Sequence, residues 1–224
     1  VAMVHHETTT GLINPVAEVS AVCRAAGRRL LVDTISGLAG EEIALDGVDL
    51  AVCTANKLVQ GVPGVSFCLV RRDFHQDLRG YPARSVYLDL GNYLDKQDAG
   101  GTPFTPAVQV TYALRQALRE LAAETLAGRL ARVRAASDTL RAGFHRLGLQ
   151  FYLPEDLRSS TITTLRLPDG LDYEALHDHM RSRGYVIYAG QGDLRSEAFR
   201  IANMGLLTEG AIAGVLTALE EVIR

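Results

Sequence analysis

Three sets of polar side chains follow apolar runs early in the sequence. They are the hydroxyls of Thr8, Thr9 and Thr10 after Val1–His6, the carboxylate of Asp33 near the end of Arg29–Thr34, and the amine of Lys57 just past Asp49–Ala55. Continuous rather than alternating apolar runs read as strands buried on both faces, and open α/β sheets bind ligands at the carboxyl edge of such strands. Hydroxyls, a carboxylate and an amine would then converge on one crevice. Each alone has a plainer reading, since Asp33 could cap a helix and Lys57 could be solvated. Their repeated placement after strands is what argues for a site. Composition also singles out Lys57: only two of the 23 basic side chains are lysines, and the other, Lys96, lies in the polar run Asp95-Lys96-Gln97-Asp98. Far downstream, Arg200 interrupts the apolar run Ala198-Phe199-Arg200-Ile201-Ala202. A guanidinium there is costly unless it is paired or binds an anion.

The elements that must hold these groups alternate in type. Val1–His6 is expected as a buried strand, Pro15–Gly27 as a helix with proline in its first turn and glycine at its stop, and Arg29–Thr34, Asp49–Ala55 and Gly64–Arg71 as further strands. A chain that starts inside a core strand is expected to continue a fold begun upstream. A long helical stretch is expected from Pro106 to Gly148, with Leu114, Leu118, Leu121, Leu126, Leu130 and Val133 on its apolar face and a bend at Gly128. Strands follow at Thr161–Leu167, Tyr185–Tyr188 and Phe199–Ala202, with helices at Tyr173–Arg183 and Glu209–Arg224. The pattern implies an α/β sheet covered by helices, then a smaller α+β unit.

Composition narrows the partners. A net charge of -3 gives no basic footprint for nucleic acid. No apolar run approaches the ~20 residues of a membrane span, and no signal peptide opens the chain. Cys23, Cys53 and Cys68 sit in apolar contexts and read as buried thiols of a cytoplasmic protein. His177-Asp178-His179 has the look of a metal motif but falls on an expected amphipathic helix, so it reads as a surface face with no metal.

The segments His5-His6-Glu7-Thr8-Thr9-Thr10-Gly11-Leu12-Ile13-Asn14-Pro15, Val32-Asp33 and Ala55-Asn56-Lys57-Leu58-Val59-Gln60-Gly61-Val62-Pro63-Gly64 resemble the class V aminotransferases. So do the later runs Tyr185–Gly190 and Phe199–Gly205, in the right order and over nearly the whole chain. The resemblance implies an α/β protein of pyridoxal 5'-phosphate (PLP) fold type I, aspartate aminotransferase-like and N-terminally truncated. Residues 1–122 would be the remainder of the large PLP-binding domain with the start of a connecting helix, and residues 123–224 a small C-terminal domain. It also implies that Lys57 links to the PLP aldehyde and moves the substrate α-proton. Asp33 would hold the pyridine nitrogen protonated. Thr8 would hydrogen-bond near the phenolic oxygen, Asn56 would make a further cofactor contact, and Arg200 would hold the substrate carboxylate or phosphonate. His5 and His6 flank this site without an implied acid–base role.

Thr102, in Gly101-Thr102-Pro103-Phe104-Thr105-Pro106, matches a family threonine that reaches the cofactor phosphate of a neighbouring subunit, which implies a homodimer with shared sites. The residues alone offer another role: Thr102 or Thr105 caps the following helix, with proline at its first position. The Glu-Thr-Thr-Thr-Gly and Gln-Gly-Val-Pro-Gly segments are similar to the branch of the family that moves an amino group from 2-aminoethylphosphonate to pyruvate. Thr-Pro-Phe-Thr-Pro is closer in wording to the alanine/serine–glyoxylate/pyruvate branch, and Gly100 and Gly101 stand where the phosphonate branch carries an arginine and an aromatic residue. The family's glycine-rich phosphate turn and ring-stacking residue, upstream of the segment matching Val1, have no counterpart here. The resemblance therefore leaves three expectations: an enzyme acting on a small anionic amino donor and a 2-oxo acid, a part completed by a complementing chain, or an inactive fragment that binds a related chain.

Overall fold

The computed structural model describes residues 1–223. Its first half is built on a four-stranded sheet, in spatial order β1 (Ala2–Val4), β4 (Leu31–Asp33), β5 (Leu50–Thr54) and β6 (Ser66–Val70). β1, β4 and β5 run parallel and β6 antiparallel. The register aligns Met3, Val32, Ala51 and Leu69, and Val4, Asp33, Val52 and Cys68. A short antiparallel hairpin, β2 (His6–Glu7) with β3 (Leu12–Ile13), precedes the crossover helix α1 (Val16–Ala25). Val16, Ser20 and Cys23, spaced at about a helical turn, face the sheet. There Val16 and Cys23 join Leu30, Val32, Ala51 and Cys53 in one apolar cluster. Glu18 in the first turn and Arg24 in the last suit the helix dipole.

At the sheet end away from the candidate site, the buried Asp49 carboxylate ties strands together. It accepts from Arg29 Nη1 at 2.9 Å and from the Leu30 amide at 2.7 Å, and pairs with Arg71 Nη2 at 2.9 Å. Opposite charges on two neighbouring elements satisfy the only buried acid of β5's approach and fix its register against β4 and β6.

Two short helices, α2 (His75–Gly80) and α3 (Leu90–Asp98), follow β6 and were not legible as helices in the sequence. α4 (Val108–Glu124) and α5 (Leu126–Arg146) form the long helical stretch. The break between them is at Thr125, with φ 69°, and not at Gly128, which lies inside α5 and donates its amide to the Thr125 hydroxyl at 3.1 Å. A threonine that accepts from the amide three residues on makes a good N-cap, and this outweighs the breaking tendency of glycine. The second half packs α5, α6 (Tyr173–Ser182) and α7 (Glu209–Ile223) against an antiparallel sheet ordered β7 (Ile162–Arg166), β9 (Ala198–Ala202), β8 (Tyr188–Ala189). Phe144, Leu165, Leu176, Met180, Phe199 and Leu219 form its core.

The α/β then α+β expectation is met, with shifts in detail. The first strand is shorter, stopping at Val4. Among the described residues it pairs with β4 alone in its sheet. The Tyr185–Tyr188 strand moves to Tyr188–Ala189, because Tyr185 and Ile187 are drawn into the helical core. The final residue of the expected Glu209–Arg224 helix lies outside the described residues. Cys23 and Cys53 are buried and Cys68 half-buried, all as free thiols. No described helix is long and apolar enough to cross a membrane.

Candidate active site

The parallel strands β1, β4 and β5 all point their carboxyl ends the same way, and three of the expected residues lie there. Asp33 is the last residue of β4, and Lys57 is three residues beyond the end of β5. The Thr8–Thr10 turn joins β2 to β3 directly after β1. The Asp33 carboxylate does not cap a helix. It accepts from the Ile35 amide at 2.9 Å through Oδ1 and makes no ion pair among the described residues. Lys57 is half-buried, and its side-chain amine likewise has no hydrogen-bond or ion-pair partner among them. A half-buried amine and a carboxylate left unpaired on adjacent strand ends are available to a ligand rather than used by the fold.

The turn that carries Lys57 is closed tightly. The Gln60 amide donates to Lys57 O at 2.9 Å and the Gly61 amide to Ala55 O at 2.7 Å. The turn that follows Asp33 packs directly on it: a Cβ on Gly40 would lie 2.3 Å from Leu58 Cδ1 and 2.7 Å from its Cγ. Leu58 is fully buried and has nowhere to go. Gly40→Ala is therefore expected to lower stability by about 1–3 kcal/mol through overpacking. Urea unfolding would measure it, and an unchanged midpoint would show that the two turns are not in contact.

The Thr8–Gly11 turn is organised by Glu7, a residue the sequence reading passed over. Its carboxylate accepts from the Thr9 amide at 2.6 Å, the Thr10 amide at 2.8 Å and the Thr10 hydroxyl at 2.5 Å. Burial alone would raise the Glu7 pKa, but these bonds together hold it below the usual range. The signal was present as an acid two and three residues before threonines, the pattern of a carboxylate that closes its own turn. From the other side, the second sheet clamps the same turn. Arg200 Nη1 donates to Thr8 O at 2.9 Å, the Thr164 hydroxyl to Thr9 O at 3.0 Å, and the Thr9 hydroxyl to Gln191 Oε1 at 3.0 Å. Gly11 at φ 80° admits no side chain, since a Cβ would sit 2.8 Å from Ile162 O.

Arg200 is thus brought to the same edge from β9. Its Nε donates to Ala189 O at 2.9 Å, and Tyr188 lies with its ring centre 6.0 Å from the guanidinium carbon. Both hydrogen-bond partners are neutral carbonyls, and no carboxylate pairs with it among the described residues. Backbone carbonyls hold Nε and Nη1, while Nη2 remains for an anion.

The remaining expected residues are placed differently. Asn56 is exposed and its Oδ1 accepts from the Thr54 hydroxyl at 2.7 Å, leaving its amide nitrogen for other contacts. Thr102 is exposed in the loop before α4 and donates to Phe104 O at 2.7 Å. Neither Thr102 nor Thr105 caps that helix. Its N-cap is Ala107 with no side-chain hydrogen bond, so Pro106 precedes the helix rather than opening it.

His5 and His6 are buried. Burial lowers the pKa of both, that of His6 to about 4, so each is neutral near pH 7. His6 Nδ1 faces Ser36 O at 3.0 Å, which makes Nδ1 the protonated nitrogen. Burial, with Cys68 and Asp33 nearby, pushes the Cys53 thiol up to about 12, so it is an inert core residue. The His177-Asp178-His179 run is less open than expected: His179 Nε2 lies 3.4 Å from Glu221 Oε2 on α7.

The residues present fit PLP over part of its surface. Lys57 would meet the aldehyde, Asp33 the ring nitrogen and Thr8 the phenolic side. Arg200, without a carboxylate partner among the described residues, suits an anionic substrate group.

The profile of the family described as aminotransferase class-V matches residues 1–194. A 2-aminoethylphosphonate–pyruvate transaminase of Vibrio cholerae is 35% identical over 230 residues, covering 100% of this chain and 62% of that protein. One from Syntrophobacter fumaroxidans is 39% identical over 212 residues, covering 92% and 57%. Among solved structures, alanine–glyoxylate aminotransferase from Nostoc sp. superposes with a TM-score of 0.93 at 32% identity, covering 100% of this chain and 61% of that one. Pyridoxamine–pyruvate aminotransferase from Mesorhizobium loti gives 0.90 at 28% identity, covering 99% and 59%. The chain spans about three-fifths of the length of the first of these relatives.

Proposed function

Because the chain belongs to the aminotransferase class-V family and has the fold type I architecture of PLP-dependent aminotransferases, we propose that it acts in transamination of 2-aminoethylphosphonate with pyruvate, giving phosphonoacetaldehyde and alanine. The observation that carries this reading is Arg200. It is a half-buried guanidinium without a carboxylate partner among the described residues, held on two carbonyls, one of them Thr8 O in the turn that follows β1 at the carboxyl edge of the sheet. An anionic substrate group is what such a cation lacks.

PLP, when bound, supplies the electron sink for the step at the amino-bearing carbon. Asp33 keeps a proton on the ring nitrogen by its negative charge, and the Ile35 amide orients that carboxylate. Lys57 takes the proton from the donor carbon and returns it to the acceptor carbon, which its neutral amine form can do and an arginine could not. Arg200 fixes the anionic end of donor and acceptor in turn. The Thr8 turn is held by Glu7 through Thr9 and Thr10 and by Arg200 through the Thr8 carbonyl, and Asn56 offers its amide nitrogen.

The same reading assigns residues 1–122 to the PLP-binding domain and 123–224 to the small domain, with the boundary in the last turn of α4. It makes the active unit a homodimer, or a pair with a complementing chain, in the cytoplasm. Support for pairing comes from exposed apolar residues on segments flanking Thr102: Tyr81, Val86, Tyr87, Leu88, Phe104 and Tyr112. Thr102 would then serve the neighbour's cofactor phosphate. The Nostoc alanine–glyoxylate structure and the Thr-Pro-Phe-Thr-Pro wording favour a second donor, alanine, with glyoxylate as acceptor.

The test is to add PLP to the purified chain, reduce with borohydride, map the label, and compare donors. Label on Lys57 and turnover of 2-aminoethylphosphonate with pyruvate are expected. Turnover of alanine with glyoxylate instead would transfer the assignment to that branch. No label on Lys57, alone or with a longer class-V chain, would leave only the inert-partner reading.

A further inference from the structure

Among the described residues, three other than glycine have a positive φ: Ala39, Gln60 and Thr125. Glycine would meet that conformation without steric cost, so a larger residue there needs a reason. Ala39 has its side chain in an apolar cluster, and Thr125 spends its hydroxyl on the Gly128 amide. Gln60, at φ 63°, lies on the turn that carries Lys57, and its side chain leaves that turn altogether. Nε2 donates to Met204 O at 3.3 Å, and Oε1 accepts from Arg132 Nη2 at 3.5 Å. Arg132 in turn donates to Gly205 O at 3.1 Å and pairs with Glu124 at 2.7 Å. Glu124 also holds Arg129, whose Nη1 donates to Leu58 O, the residue after Lys57.

Every long-range bond of this lysine turn thus runs to the α4–α5 corner or to Met204–Gly205, just beyond the strand that bears Arg200. The amide orientation follows from its partners, since a carbonyl demands the NH2 group and a guanidinium the oxygen. We propose that Gln60 is a positioning residue, holding the Lys57 turn against Met204 and Arg132 so that the lysine amine and Arg200 keep a fixed relation. This rests on the transaminase reading for its purpose, though not for its geometry. It also gives a route by which a displacement of β9 on anion binding reaches the lysine.

The scarcity of lysine makes the test direct. The full chain is acetylated with a limiting amine reagent, and Lys57 is compared with Lys96 by peptide mass spectrometry alongside the thermal midpoint. Gln60→Gly keeps the backbone conformation and deletes the side chain. Gln60→Asn also suits that conformation but is one methylene too short to span the gap. Both are expected to raise the Lys57-to-Lys96 labelling ratio at least about threefold, as the turn opens more often. The midpoint of Gln60→Gly should not fall, because glycine relieves the strain. An unchanged ratio would overturn the proposal, and so would a lowered midpoint with both lysines more reactive. Borohydride trapping of PLP on wild-type Lys57 tests the enzyme reading separately. Failure there, with the ratio altered as expected, would sink the transaminase and leave the hold on the lysine turn standing.

Discussion

Lys57→Ala should reduce transamination by about 10³-fold in whatever assembly turns over, the scale lost when a positioned acid–base group is removed. The argument is one of substitutes. The only other lysine, Lys96, is exposed near the end of α3, and the neighbouring histidines are buried with their protonated nitrogen or ring fixed by the fold. Lys57→Arg should be equally inactive despite keeping the charge, because a guanidinium does not release a proton near neutral pH. Stability should be preserved in both, since the Lys57 side chain makes no hydrogen bond or ion pair among the described residues. Small primary amines added to the alanine variant should restore part of the rate. Steady-state and single-turnover kinetics with matched thermal melts decide the matter. A variant retaining full rate, or one that lost rate only through unfolding, would remove Lys57 from the chemistry.

What could be read in the sequence, and what could not, divides by distance along the chain. Lys57, Asp33 and the threonines were visible because buried parallel strands announce themselves as unbroken apolar runs, and the residue after such a run falls on the ligand-binding edge. Arg200 was visible because a charge inside an apolar strand needs a counterpart. The partners that hold these groups were not. Glu7 looked like one more polar residue, and nothing at Gln60 signalled a left-handed backbone or a reach to Met204. Gly128 reads as the bend because glycine is the usual breaker, whereas a capping hydroxyl at Thr125 sets it. α2 and α3 were missed because they bury only Gly91 between them, so no apolar stripe marked them.

Glu41→Gln should stabilise the chain at pH 8 and leave it unaffected at pH 4. Glu41 is 9% exposed, in the turn between β4 and β5, and burial raises its pKa to about 7. Its neighbours on the second half are Thr161, Ser160 and Arg141 of α5, which soften the effect without cancelling it. No ion pair joins Glu41 to Arg141 among the described residues, and both Glu41 Oε1 and the Thr161 hydroxyl lack a hydrogen-bond partner of good geometry. Below the unfolded value of 4.5 the carboxyl is neutral in both states and costs nothing. As pH rises from there to about 7 only the unfolded chain ionises, so stability falls; above about 7 the whole penalty, about 3 kcal/mol, is in place. His6 works in the opposite sense, its buried neutral ring opposing folding as pH drops from 6.5 toward about 4. That contribution is common to both proteins and cancels in the difference. Urea titrations of wild type and variant across this range give the curve directly, and a constant difference at all pH values would refute the buried ionisation.

The clamp on the Thr8–Gly11 turn has a consequence for how the protein is made. Thr9 meets Gln191 across 182 residues and Thr8 meets Arg200 across 192, so the site closes one of the longest loops the chain can form. Such closures come late, because the entropy of a long loop must be spent before its contacts return anything. On a ribosome the N-terminal sheet can be assembled, with Lys57 and Asp33 in place, well before residue 200 has been synthesised. For that interval the Thr8–Gly11 turn lacks the Arg200, Thr164 and Gln191 bonds that clamp it. Closure of the Thr8–Gly11 turn therefore waits on β9, and a mutation that delays β9 would lengthen that interval without altering a single residue of the lysine turn.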